Sequence, residues 1–103
     1  MTPMTAGVLI DLNHALAHSP ANAYLLYNRA CLYAQCQEYE KANTDFTQAL
    51  AIDPLLAEAY YNRGICLLLT NHYSEGIQDL SKAGELGIYQ SYSIIKEQKK
   101  NVK

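Results

Sequence analysis

The chain has 103 residues, half of them hydrophobic, and a formal net charge of −2. That suffices for one continuous core and not for two. Residues 1–95 are net acidic, with Arg29, Lys41, Arg63 and Lys82 as their basic side chains. They lack the basic stripe a nucleic-acid surface needs, so no nucleic-acid partner is expected. Lys96, Lys99, Lys100 and Lys103 fall together at the end with Glu97, and read as a soluble basic tail.

The first predicted helix runs from about Thr5 to His18. Val8, Leu9, Leu12, Ala15 and Leu16 recur at helical spacing, and Ser19-Pro20 stops the run. The second spans about Tyr24 to Gln35, with Leu26, Ala30, Tyr33 and Ala34 on one stripe. Gln37-Glu38 makes the turn. The third covers about Glu40 to Ile52 with Ala42, Phe46, Ala49 and Leu50 inward, and ends at Asp53-Pro54, where proline cannot continue a helix. The fourth is about Leu56 to Leu69, followed by the turn Thr70-Asn71-His72. The fifth runs from about Ser74 to Leu86 and closes at Gly87, a left-handed stop. A sixth segment, about Gln90 to Lys99, carries Tyr92, Ile94 and Ile95 and then turns polar. No strand pattern competes. The short connections make neighbouring helices antiparallel.

The chain repeats itself. Tyr27-Asn28-Arg29 returns as Tyr61-Asn62-Arg63, 34 residues later. In the same phase Tyr33 lies over Leu67, Tyr39 over Tyr73, Phe46 over Leu80 and Ala49 over Ala83. A repeat of this length means stacked helix pairs, each too small to bury its apolar face alone. Small residues (Ala30, Gly64, Ala49, Ala83) let helix axes approach, and bulky ones (Tyr33, Phe46, Leu67, Leu80) fill the gaps.

On these residues the chain resembles the tetratricopeptide repeat family. The family's first-helix aromatic site is Leu26, then Tyr60, and its small contact site is Ala30, then Gly64. The second-helix small site is Ala42, then Gly76. The closing proline is Pro54, with Ile88 in that place in the second unit. Residues 5–22 are similar to the second half of a unit, because Ala15-Leu16-Ala17-His18-Ser19-Pro20 parallels Ala49-Leu50-Ala51-Ile52-Asp53-Pro54. The resemblance implies an all-α fold, an α-solenoid of antiparallel helix hairpins. It would form one domain over residues 5–99: a half repeat at 5–22, repeats at 23–56 and 57–90, and a capping helix at 91–99. A basic tail would follow at 100–103.

Arg29 and Arg63 stand where the family usually has a buried leucine, and Asp45 and Asp79 recur in step with them. Arg–Asp pairs between adjacent helices, fixing their register, are expected. Peptide contact is expected on a tyrosine-rich, largely apolar groove between first helices. Its residues are Tyr24, Tyr27, Asn28, Cys31 and Gln35, with Ala34 beside them, and Glu58, Tyr61, Asn62, Ile65 and Leu69, with Leu68 beside them. Some family members grip a peptide's terminal carboxylate with a clamp that includes an Asn here. Only that Asn carries over: Tyr27 replaces the clamp's first lysine and Cys31 its first-unit Asn, so a clamp is not expected.

His14 and His18, one turn apart, have no third ligand nearby, and no metal or other cofactor is expected. Cys31, Cys36 and Cys66 give an odd count without metal-like spacing, and read as buried free thiols of a reduced, cytoplasmic domain. Met1-Thr2-Pro3-Met4 has no basic leader character and Asp11 cuts the Val8-Leu9-Ile10 run, so neither signal peptide nor membrane span is expected. No phosphate loop, nucleophile elbow or His–carboxylate arrangement occurs, and no enzyme is expected. The function expected is an adaptor that binds a protein or peptide partner. The alternative is an assembly module that stacks on other repeats of a larger parent, or forms a homodimer through the exposed apolar face of the first helix.

Overall fold

The computed structural model describes residues 1–101, which hold six helices and no strand. These are α1 (Pro3–His18), α2 (Ala23–Gln35), α3 (Tyr39–Ile52), α4 (Ala57–Leu69), α5 (Tyr73–Glu85) and α6 (Gln90–Asn101). Lys100 belongs to α6, while Val102 and Lys103 of the expected tail lie outside the described residues. The chain divides into two compact units between Pro54 and Leu55.

In the first unit α2 and α3 form a hairpin. Ala30, Ala42, Phe46 and Ala49 are completely enclosed, so the helices meet through methyl groups with one large ring between them. Tyr27 stacks against that ring, with centroids 5.9 Å apart and planes tilted by 53°. Helix α1 lies against α2, and Leu16 is its buried residue. Val8, which shares the helical spacing of Leu12 and Leu16, is exposed. Two caps begin these helices: the Thr2 hydroxyl accepts from the Thr5 N–H and the Asn22 side chain from the Leu25 N–H, each at 3.1 Å.

The second unit repeats the hairpin with a tighter contact. Gly64 of α4 and Gly76 of α5 occupy the places of Ala30 and Ala42. A Cβ on Gly64 would stand 3.0 Å from both the Gly76 carbonyl oxygen and Leu80 Cγ. Where Asn22 caps α2, the equivalent residue before α4 is Leu56, which caps nothing but is buried. Helix α6 packs on α5. Its inner face differs from expectation: Ser91, not Tyr92, is fully enclosed, and Ile94 and Ile95 are half-buried. Tyr92 remains 48% exposed and lays its ring over Gly84, where a Cβ would come within 2.5 Å of the ring's Cζ.

Both hairpins turn the same way. After α2 the chain passes through Gln37 at φ 61°, and after α4 through Asn71 at φ 65°. In each turn the last carbonyls are satisfied from beyond the helix. The Glu38 N–H donates to the Tyr33 carbonyl at 2.9 Å, and the His72 N–H to the Leu67 carbonyl at 2.8 Å. Gly87 (φ 111°) ends α5 in the same manner, with the Ile88 N–H on the Ala83 carbonyl.

Two substitutions test this packing. Gly64→Ala improves helix propensity but drives a methyl into the α5 backbone, and it is expected to lower stability by about 1 kcal/mol or more in chemical denaturation. Gln37→Gly relieves a left-handed residue that carries a side chain, and is expected to raise stability by about 0.5–1 kcal/mol by the same measurement.

Candidate functional site

In each hairpin an arginine–aspartate pair joins the two helices. Arg29 on α2 forks onto Asp45 on α3, Nε donating to Oδ2 at 2.7 Å and Nη2 to Oδ1 at 2.9 Å. Arg63 on α4 forks onto Asp79 on α5 at 2.7 and 2.8 Å. The carboxylates are almost sealed, with side-chain exposures of 4% and 11%, whereas the arginines are 24% and 22% exposed. These hydrogen bonds to aspartate raise both guanidinium pKa values, against the opposing pull of desolvation. The planar fork matches a carboxylate in only one orientation, so each pair aligns α2 with α3, or α4 with α5. Each arginine also lies near a tyrosine ring, Arg29 at 5.9 Å from the Tyr33 centroid and Arg63 at 5.8 Å from that of Tyr60.

Arg29 has a further acceptor that the repeat did not signal. Its Nη1 donates to Asn13 Oδ1 on α1 at 3.0 Å, which ties α1 to the first hairpin. Asn13 escaped notice because the residue 34 places on is Thr47 and no shared pattern marks the pair. Asp11, in phase with Asp45 and Asp79, is exposed.

The ten expected groove residues fall on two stripes of identical register, at i, i+3, i+4, i+7 and i+11. On α2 these are Tyr24, Tyr27, Asn28, Cys31 and Gln35. Tyr24 is 65% exposed, Asn28 and Gln35 are exposed, and Tyr27 and Cys31 are half-buried. Tyr27 does double duty, since its ring also packs on Phe46. Burial pushes the Cys31 thiol up, partly countered by a hydrogen bond with Tyr27. On α4 the stripe is Glu58, Tyr61, Asn62, Ile65 and Leu69. Glu58 is exposed, Leu69 is 58% exposed, and the three between are half-buried. The Asn62 amide donates to the Glu58 carbonyl at 3.0 Å.

Some neighbours of these stripes differ from expectation. Leu68 packs toward Gly76 inside its own hairpin, because the missing Cβ there leaves room for it. Cys31 and Cys36 are half-buried and Cys66 is buried, all three as free thiols. His14 and His18 are exposed on α1, and no cluster of three or more His, Cys, Asp or Glu suited to a metal occurs among the described residues. Nor is any described helix long and apolar enough to cross a membrane.

Known proteins share this design. Residues 32–71 match a family model described as TPR repeat. The chain is similar to Tetratricopeptide repeat protein 28 of Homo sapiens, 32% identical over 69 residues that make up 67% of this chain and 3% of that protein. It thus spans a small fraction of that relative's length. Among solved structures it is similar to the second TPR domain of the human RPAP3 protein, determined in complex with the HSP70 peptide SGPTIEEVD. That domain is 30% identical, with a TM-score of 0.80 over 88% of this chain and 78% of that chain. The first TPR of Spaghetti (RPAP3), bound to the HSP90 peptide SRMEEVD, shares the fold at a TM-score of 0.90 and 19% identity, covering 96% of this chain and 80% of that one. The chain belongs to the tetratricopeptide repeat family, an all-α fold of helix hairpins that serves in protein binding.

Asp79→Asn tests the charged pair of the second unit. It leaves the Arg63 guanidinium without its counterion against a closed hairpin, and is expected to cost about 2 kcal/mol by denaturant titration. Replacing both partners, with Arg63→Met and Asp79→Leu, is expected to recover most of that loss.

Proposed function

We propose that this chain is a non-catalytic interaction module that takes a peptide segment of another protein on the outward stripe that each hairpin carries, on α2 in the first unit and on α4 in the second. One observation carries the reading. Each stripe keeps a large apolar or aromatic side chain open to solvent, Tyr24 at the start of α2 and Leu69 at the end of α4. Each stands in line with the half-buried Tyr27 or with Tyr61 and Ile65 of its own stripe, and a tyrosine offers a binding partner large area at low entropic cost. That solved relatives hold peptides supports it. The free thiols suit a reducing compartment, and we place the module in the cytoplasm.

A second reading, assembly, has its own support. Helix α1 exposes Met4 at 81%, together with Val8 and Ile10. A second copy or a further repeat of a longer parent would cover them. Light scattering over a concentration series separates the readings: a strict monomer removes self-assembly, and a concentration-dependent dimer supports it.

For the binding reading the informative variant is Tyr24→Ala with Tyr61→Ala, which spares the Tyr27–Phe46 contact. Affinity for peptides selected on the wild-type chain is expected to fall about tenfold or more, with an unchanged helical circular dichroism spectrum. Unchanged affinity would reject these stripes as the binding surface.

A further inference from the structure

We infer that the segment taken by the α4 stripe is apolar and cationic, in contrast to the acidic tails held by the solved relatives. The inference rests on the peptide-binding reading above and deepens it. An acidic ligand needs a cation close to the stripe; the exposed lysines Lys96, Lys99 and Lys100 belong to α6, and those of residues 1–95 are engaged elsewhere. In residues 1–95 the basic side chains are Arg29, Lys41, Arg63 and Lys82. Arg29 and Arg63 each spend two nitrogens on one nearly sealed aspartate. Turning either toward a ligand would abandon that buried carboxylate, which costs more than a surface contact returns. Lys41 pairs with Glu38 at 3.3 Å and Lys82 with Glu85 at 3.9 Å, and both belong to second helices, α3 and α5, rather than to the stripes.

The α4 stripe has the opposite character. Glu58, in the first turn of α4, is exposed and makes no ion pair among the described residues. Tyr61 and Asn62 follow one turn on, then Ile65, then the exposed Leu69. An anionic end and an apolar end thus share one helix face, with an aromatic ring and an amide between them. Eleven residues of helix separate the ends by roughly 16 Å. An extended peptide covers that distance in about five residues. The segment that fits carries Lys or Arg at one end and a large apolar side chain about five positions away. The net acidic charge of residues 1–95 favours its approach.

The test is selection of a displayed library of short random peptides on the purified chain, followed by anisotropy titration of recovered peptides. The expected result is a pool rich in Lys or Arg spaced from Leu, Ile, Phe or Met. Its members should weaken roughly fivefold on Glu58→Lys and bind more weakly as salt is raised. They should also outcompete the acidic peptide SRMEEVD. A pool rich in Asp and Glu, or members indifferent to Glu58→Lys, would overturn the inference. If those members still lost affinity on Tyr24→Ala with Tyr61→Ala, the binding reading would survive. A library that yields no binder would overturn both.

Discussion

The distance at which two helices of a hairpin can meet constrains everything else in this chain. Ala30 and Ala42 set it in the first unit, and Gly64 and Gly76 in the second. Only a methyl group or less fits at those points. Bulky residues must therefore sit a turn away, as Phe46 and Leu80 do, both completely enclosed. Once small and large positions interlock, the rotation of each helix about its own axis is fixed. The outward stripes follow from that rotation. Tyr24 and Leu69 are exposed because Ala30 and Gly64 must face inward.

The Arg–Asp forks impose a second restraint of a different kind. Apolar packing tolerates a small slide of one helix along another, but a bidentate contact does not. Each fork joins residues 16 apart across one turn, and so fixes how the hairpin closes. The forks also shape the chemistry of the surface. By consuming both arginines they leave the α2 stripe without a cation and the α4 stripe with an acid. A leucine in place of each arginine would pack without drawing an aspartate inward. The choice of charged pairs thus affects both the hairpin and what its exposed face can attract.

Much of this was legible in the sequence, for a physical reason. A repeat must present the same packing surface each time, so residues that close a hairpin recur in phase, and period alone exposes them. Leu26, Ala30, Phe46, Ala49, Leu80 and Ala83 were readable in this way, and so were Arg29, Arg63, Asp45 and Asp79. What lies outside the period was less legible. Asn13 meets Arg29, but its residue type does not recur, since the position 34 places on is Thr47. Ser91 fills the α6 contact although its hydroxyl finds no partner there, a choice that hydropathy argues against. Val8 sits on an apolar run yet is exposed, because spacing tells which residues share a face and not whether another helix covers it. Leu68 shares the flank of the α4 stripe but is drawn inward by the space over Gly76, a detail that depends on atoms rather than on pattern.

The two repeats keep the same core and diverge on their faces, and this divergence bears most directly on function. Tyr27 and Tyr61 are retained, as are Asn28 and Asn62. Tyr24 becomes Glu58, Cys31 becomes Ile65 and Gln35 becomes Leu69. The first stripe is aromatic and neutral; the second runs from acid to aliphatic. None of these exchanges is required by the hairpin interior, where Ala30, Phe46 and Ala49 answer to Gly64, Leu80 and Ala83 within a narrow range of volume. A surface under no demand but solubility would drift toward charge at its most exposed points, and Leu69 has done the reverse. Retained tyrosines beside altered neighbours are consistent with the proposed reading, in which a shared scaffold presents a different surface on each hairpin.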